Sequence, residues 1–232
     1  MKRLRRIKRI VESMQRLIER ELTVDLIGEE VVSFLSGDDS CDVRQQMETK
    51  FFDVCGVGDR SGVIGFVERT DLKSGVVGLH SKPIPPEHMV GHADPLWDAL
   101  PKIAQKAWLF MDGRSGVKEI VTIADLNKQP ARLLMFGCVS TLEMTMLEQI
   151  RRHYNGDGLS PPLSITRLEK AKELQKERRR KNQDIDLVDC LQLCDKARVC
   201  LNTSEIRECW GWSETKGKRF FENLASGYSC LM

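Results

Sequence analysis

The sequence predicts an α/β fold made of two similar βαββα halves, followed by a separate all-helical domain. The first observation is a repeat: FDVCGVGDRSGVIGFVERTDL (52–72) matches AWLFMDGRSGVKEIVTIADL (107–126). Each copy has an apolar run, a glycine-containing turn and a second apolar run, which is typical of a β-hairpin. The second observation is a change after residue 163, where apolar residues at helical spacing and many charges replace the strand patterns.

These patterns divide the chain into five segments. They are a basic amphipathic helix (1–21), a first α/β half (22–75), a second half with a long helix (76–151), a linker (152–163) and a helical domain (164–232). Because the same order of elements occurs twice, we interpret the two halves as an internal duplication.

Residues 1–21 combine apolar side chains at helical spacing with lysine and arginine on the other faces. Such a helix either binds nucleic acid or an anionic membrane, or packs its apolar face and leaves its charges in water. We favour the second interpretation because packing already explains the apolar stripe.

In the first half we expect a strand, a helix and a hairpin. The predicted elements are a strand at Val31–Leu35, a helix at 41–51 capped by the turn 37–40, strands at 51–57 and 63–69, and a truncated helix that starts at Thr70–Leu72.

The second half repeats this order after a linker with three prolines at 76–86. The predicted elements are a strand at His88–Gly91, a helix capped by Asp94 with Pro95 first and a possible interruption at Pro101, strands at 107–111 and 118–123, and a long helix that Pro130 begins and Gly137 weakens.

In the C-terminal region, predicted helices cover 164–182, 184–201, 204–212 and 215–227. The basic run 176–182 fits either an RNA contact or a solvated helix face, and the second is more common.

The composition is that of a soluble globular protein, with 41% hydrophobic and 30% charged residues. The net charge of +2 gives no general argument for a nucleic-acid partner. We expect no membrane span, because no apolar run is long enough to cross a bilayer, and we expect a cytoplasmic protein, because no signal-peptide pattern is present. The 8 cysteines are scattered and do not form the framework of a small secreted domain.

The candidate binding residues are Thr122 and Asp125, at the end of the second repeat. A hydroxyl, a carboxylate and the backbone amides of a following helix suit a phosphorylated ribose: the hydroxyl and amides bind phosphate, and the carboxylate accepts from ribose hydroxyls. The competing interpretation is that the pair only caps the helix.

With these residues in place, 22–151 resembles a CBS-domain pair, a family in which Thr-x-x-Asp at this position binds adenosine nucleotides. The resemblance implies AMP, ATP or S-adenosylmethionine as a regulatory ligand, and a homodimer. It also implies roles for Arg132 on phosphate, His92 beside the adenine, and Asp71 in the first half. There, Glu68 stands at the hydroxyl position, so we expect that site to be weak, empty or suited to a nucleoside without phosphate. Glu119 stands where a small residue is expected just before the strand.

The C-terminal region resembles the HEPN superfamily of helical domains. The stretch that matches the nuclease motif of that superfamily has Phe221 at the arginine position and Ser226 at the histidine position, and no histidine follows Arg219. Because RNA cleavage needs an acid–base pair, we expect no enzyme activity. Two alternatives stay open: an RNA-directed nuclease or toxin-related protein, and an interaction scaffold that uses Trp210 and Trp212.

We predict no metal site, since no close pair of cysteines two residues apart is present. Cys190 and Cys194 are expected on one face of a helix, as small buried thiols like Cys200 and Cys209. The four histidines lack metal spacing, and no catalytic triad or phosphate-binding glycine loop is visible.

Overall fold

The computed structural model describes residues 9, 12–14, 16–18, 20–59, 62–113, 116–154 and 162–229, with side chains up to residue 223. The chain forms two compact units, one at Ser13–Met135 and one at Phe136–Met232 together with Met1–Glu12. Of the predicted helix at 1–21, residues 9, 12–14, 16–18 and 20 are helical, and the others before residue 20 lie outside the described residues. The unit at Ser13–Met135 contains both α/β halves.

The first half has the predicted strand, helix and hairpin, preceded by a short strand that the sequence did not predict. Its elements are β1 (Glu29–Glu30), β2 (Ser33–Leu35), α1 (Ser40–Thr49), β3 (Val54–Asp59) and β4 (Gly62–Glu68). The predicted helix cap is present: the Asp39 side chain accepts hydrogen bonds from the backbone amides of Cys41 and Asp42, at 2.8 and 3.1 Å. Such a bond satisfies an amide that has no partner within the helix, which explains why the helix begins here.

The second half repeats the first in detail. Its elements are β5 (Met89–Gly91), α2 (Leu96–Lys106), β6 (Trp108–Gly113) and β7 (Gly116–Thr122). Each half has a parallel strand pair and an antiparallel hairpin. Both hairpins have a register irregularity at the same place, after Val57 in the first and after Met111 in the second. The predicted duplication is therefore confirmed, and the two hairpins also share the same strand register.

The two halves exchange short segments. β1 precedes the first half but pairs antiparallel with β7, with Glu29 opposite Ile120. Lys82 precedes the second half but forms an antiparallel bridge with Phe66 in β4. The sheets are therefore β2-β3-β4 and β1-β7-β6-β5. Since each half completes the edge of the other, we expect the two halves to fold as one cooperative unit.

An aromatic cluster forms the core between the two sheets. The ring of Phe66 in β4 lies 5.0 Å from Trp108 and 6.2 Å from Phe110, both in β6, between ring centroids. Phe110 is fully buried, and Phe66 is 5% exposed. Tilted aromatic packing of this kind adds to the free energy gained from burial alone.

Three local predictions in this unit were wrong. Residues 69–71 form a turn rather than a truncated helix, and Leu72 is fully buried as an anchor. Asp94 does not cap α2, because its carboxylate instead accepts from the amide of Gly91 at 2.8 Å and Pro95 holds the cap position. Pro101 does not interrupt α2: the helix is continuous from Leu96 to Lys106, and Pro101 lies on its exposed side.

The long helix α3 spans Gln129–His153 without a break at Gly137. It is long and apolar enough to cross a membrane by length and composition, although only 22% of its most apolar 18-residue window is buried. The expectation that no stretch is long and apolar enough to cross a membrane was therefore wrong. Widely spaced charges such as Arg132 and Glu143 do not keep a helix from meeting these two criteria. Length and composition are weak evidence, since the core helix of a soluble protein meets the same criteria.

The second unit is all-helical after α3, as predicted. Its elements are α4 (Ile165–Arg180), a 3₁₀ helix (Leu187–Cys190), α5 (Leu193–Asn202), α6 (Ser204–Cys209) and α7 (Glu214–Ser229). The single helix predicted at 184–201 was wrong. The Asp195 carboxylate accepts from the amide of Gln192 at 3.3 Å, so a new helix begins there instead of continuing the 3₁₀ helix.

Candidate functional site

Thr122 and Asp125 lie together at the end of β7. Thr122 is the last residue of that strand, and a 3₁₀ helix follows at Ile123–Asn127. The backbone amide and the hydroxyl of Thr122 both donate to Asp125 Oδ2, at 2.7 and 2.9 Å. Asp125 is only 6% exposed. The pair therefore directs the chain out of the strand, which is the capping role that the sequence left open.

Lys128 is the third member of this cluster. Its Nζ lies 2.8 Å from Asp125 Oδ1, 2.7 Å from Glu29 Oε1 and 2.8 Å from the carbonyl oxygen of Ile27. Burial by itself would lower the pKa of Lys128, but hydrogen bonds to Asp125 and Glu29 hold that pKa above its ordinary value. Since Ile27 and Glu29 belong to the exchanged segment, Lys128 ties that segment to the second half.

His92 contacts this region through Glu119. It lies in the turn after β5, and its Nε2 is 2.9 Å from Glu119 Oε2. Glu119 stands within β7, opposite Met111, and not just before the strand as predicted. A side chain at Gly28 would come within 2.4 Å of Met111 Sδ, so the exchanged segment approaches β6 closely here. Only a glycine allows this approach without displacing Met111.

Arg132 lies on the first turn of α3, where its side chain is exposed. Its backbone amide donates to the carbonyl of Lys128 at 3.1 Å. The structure thus joins Thr122 and Asp125 by direct bonds, and places Arg132 one helical turn beyond Lys128.

The first half has an equivalent but different cluster. Glu68 ends β4 as Thr122 ends β7, and Asp71 follows at the same spacing. Lys82 donates to Asp71 Oδ2, and its Nζ lies 3.8 Å from Glu68 Oε2. The hydrogen bond to Asp71 raises the pKa of Lys82. Because Glu68 and Asp71 outnumber Lys82, this cluster carries a net negative charge, which disfavours a phosphate.

The two clusters use opposite charges at the exchanged segments. Lys82 opposite Phe66 corresponds to Glu29 opposite Ile120. The ammonium comes from the exchanged segment itself in the first half, and from Lys128 in the second. Sequence reasoning missed both lysines, because the signal is a pairing between distant segments. Lys128 could have been found only as the residue three positions after Asp125.

No family model matches the chain, and no curated protein matches it. Several solved structures match about half of it. They include CBSX2 from Arabidopsis thaliana (18% identity, 48% of this chain and 95% of that chain, TM-score 0.42), CBSX2 in complex with AMP (17%, 48% and 97%, 0.42) and the CBS domain of a bacterial CNNM/CorC family Mg2+ transporter in complex with ATP (16%, 53% and 94%, 0.41).

The cysteines do not share the environment that the sequence predicted. Cys190 and Cys200 are buried, whereas Cys194 and Cys209 are exposed. Cys190 and Cys194 lie in different elements rather than on one helix face. Within the described ranges, no three His, Cys, Asp or Glu residues are grouped so as to hold a metal ion.

The motif region of the helical domain lies in α7. Phe221 packs on the core of this unit, and the side chain of Ser226 lies outside the described ones. The rings of Trp210 and Trp212 are 5.3 Å apart, and both are half-buried. Each ring therefore keeps part of its surface exposed while it packs against the other.

Proposed function

We propose that this chain is a regulatory protein that binds an adenosine nucleotide at the second-half cluster of Thr122, Asp125 and Lys128. The observation that supports this most is the position of a hydroxyl, a carboxylate and an ammonium at one strand end, beside the segment exchanged from the other half. These three groups are complementary to a ribose phosphate: the carboxylate accepts from ribose hydroxyls, and the hydroxyl and ammonium donate to phosphate.

In this proposal Lys128 changes partner when the ligand binds. Without ligand, its ammonium neutralises Asp125, which is nearly buried. A buried carboxylate is costly without such a partner. When ribose hydroxyls donate to Asp125, Lys128 moves to the phosphate, where the exposed Arg132 adds a second positive charge. His92 supplies a flat ring for the adenine.

We expect one nucleotide for each chain. In the first half Asp71 already accepts from Lys82, and Glu68 adds a second carboxylate. This cluster disfavours phosphate, so a nucleoside without phosphate is the ligand class that remains for it.

The regulatory step is a shift between two packings of the halves. Residues 27 and 29 of the exchanged segment contact Lys128. A ligand that moves Lys128 therefore breaks these contacts between the second half and the exchanged segment. A ligand that binds one packing more tightly raises the population of that packing. We propose that a non-catalytic helical domain similar to HEPN domains receives this change, in a cytoplasmic homodimer. Sedimentation tests the dimer against the chain mass of 26.5 kDa.

A thermal-shift measurement with AMP, ATP and S-adenosylmethionine tests the ligand. We expect at least one of them to raise the melting temperature, since a ligand that binds only the folded state stabilises it. Asp125→Asn should abolish the shift. Asp98→Asn, an exposed aspartate in the first turn of α2, is the matched control and should preserve it. No shift with any of the three removes the proposal.

The second candidate function is a scaffold without ligand. It is favoured by the hydrogen bonds within the cluster, since Thr122 and Lys128 already satisfy Asp125. A chain that shows no thermal shift but purifies with a stable partner supports this alternative.

A further inference from the structure

The helical unit has an open surface pocket of about 510 Å³, called the cavity below. Its walls come from α3, from α5 and from the stretch between the end of α4 and the 3₁₀ helix that follows. This volume is within the usual range for small-molecule sites. The cavity lies entirely within the residues of one compact unit and shares none with the nucleotide cluster.

Three of the five lining charges are already neutralised by neighbours. Lys196, whose side chain is 5% exposed, forms an ion pair with Glu143 on the opposite wall. Asp189 forms an ion pair with Arg151. A buried ammonium needs such a partner, so these pairs belong to the folded unit itself and are not available to a ligand.

Two other lining charges have no such pair. Arg178 lies in the last turn of α4 and is half-buried, and the exposed Asp184 follows the turn after that helix. Neither forms an ion pair with any residue in the described part of the chain. The cavity therefore offers one cation and one anion, separated by a short turn.

The uncharged part of the lining combines three apolar residues with Ser140 and Gln183. The apolar residues are Met144 and Leu147 from α3, together with Ile185, and each is half-buried. Leu147 and Ile185 also pack on the core of this unit. A ligand group that covers these side chains removes apolar surface from water, which favours binding.

We propose that this cavity binds a small zwitterion with an apolar body, of the class of apolar α-amino acids. The carboxylate of the ligand pairs with Arg178, its ammonium pairs with Asp184, and its side chain covers Met144, Leu147 and Ile185. A simple anion would leave Asp184 without a partner, and a simple cation would leave Arg178 without one. A neutral ligand with both charges matches this lining.

Calorimetric titration of the 232-residue chain tests the proposal with defined probes. The zwitterions are L-leucine, L-methionine and L-phenylalanine. The matched singly charged probes are 4-methylpentanoate, which lacks the amine of leucine, and 3-methylbutylamine, which lacks its carboxylate. We expect at least one amino acid to bind, and leucine to bind at least about tenfold more tightly than either single-charge analogue, because a hydrogen-bonded charge is lost in each.

Single substitutions test whether Arg178 and Asp184 bind the carboxylate and the ammonium of the ligand. Arg178→Met and Asp184→Asn should each weaken amino-acid binding by about tenfold. Arg180→Met, an exposed arginine of the same helix that does not line the cavity, should leave it unchanged. Asp125→Asn should also leave it unchanged, which separates this site from the nucleotide cluster. No binding of any amino acid, equal binding of leucine and 4-methylpentanoate, or equal loss in Arg180→Met would overturn the proposal.

Discussion

Lys128 is the residue on which the candidate site depends, and its main partners are distant in sequence. The carbonyl of Ile27, which accepts its hydrogen bond, is 101 positions away. The sequence could predict Thr122 and Asp125 as a pair, since they are three residues apart at a strand end. It could also have offered Lys128, three positions on, as a partner for Asp125. It could not predict the contacts of Lys128 with Ile27 and Glu29, because these depend on which segment the halves exchange.

The first prediction concerns the coupling between Asp125 and Lys128. In a double-mutant cycle with Asp125→Asn and Lys128→Met, urea unfolding should give a coupling free energy of about 1 kcal/mol, as expected for contacting, partly buried charges. Lys102→Met changes an exposed lysine of α2 and should alter the free energy of unfolding by less than about 0.5 kcal/mol. A coupling near zero would mean that the ion pair does not form in solution.

The second prediction concerns the thiols. Burial raises the pKa of Cys55 and of Cys200 to about 12, and nearby Lys50 only partly opposes this at Cys55. Both thiols should stay protonated at pH 8 and resist a thiol reagent, because the thiolate is the reactive form. The exposed Cys41, Cys194 and Cys209 should react.

These pKa shifts also set a pH dependence of stability. An unfolded thiol ionises near its ordinary value of 9.0, whereas folded Cys55 and Cys200 ionise near 12. Above pH 9 the unfolded state therefore loses protons first, and the free energy of unfolding should fall as pH rises from about 9 to 12. A Cys55→Ala variant should lose less stability over this range. Rapid labelling of Cys55 or Cys200 at pH 8 in the absence of denaturant would contradict the buried positions.

At the scale of elements, hairpins and short helices were predictable because their signals are local. The repeated strand–turn–strand pattern and the Asp39 cap both depend on residues close in sequence. The errors arose where a tertiary contact or a competing side chain decided the outcome. Leu72 is drawn into the core instead of continuing a helix, and Asp94 bonds back to Gly91 instead of capping α2.

The third prediction tests the exchange of segments. A Cβ atom at Gly65 would lie 2.7 Å from the backbone oxygen of Lys82, which belongs to the bridge with Phe66. Gly65→Ala should therefore lower the free energy of unfolding by about 1–3 kcal/mol, because backbone must move to make room. The measurement is urea denaturation followed by circular dichroism.

Gly37→Ala is the control for this variant. Gly37 is exposed, and a Cβ atom there meets nothing within 4 Å. It should change stability by less than about 0.5 kcal/mol. If both variants lose equal stability, the close approach of Lys82 to β4 is not what restricts residue 65.

At the scale of the whole molecule, the sequence predicted the order of the domains better than their chemistry. The tandem halves and the all-helical region follow from period and repetition. The sequence analysis did not predict that α3 meets the length and composition of a membrane-spanning helix, because charged residues interrupt its apolar runs. The charges that line the cavity of the helical unit could not be predicted from the sequence either, since they come from several elements, α3, α4 and α5 among them.

The central claim is that the second half binds one adenosine nucleotide through Asp125. Isothermal titration of the 232-residue chain with AMP and with ATP tests it most directly. We predict saturable binding of at least one of them, with one nucleotide for each chain, lost in Asp125→Asn and kept in Asp98→Asn. Absence of binding to the unaltered chain, or equal binding by the Asp125→Asn variant, would contradict the claim.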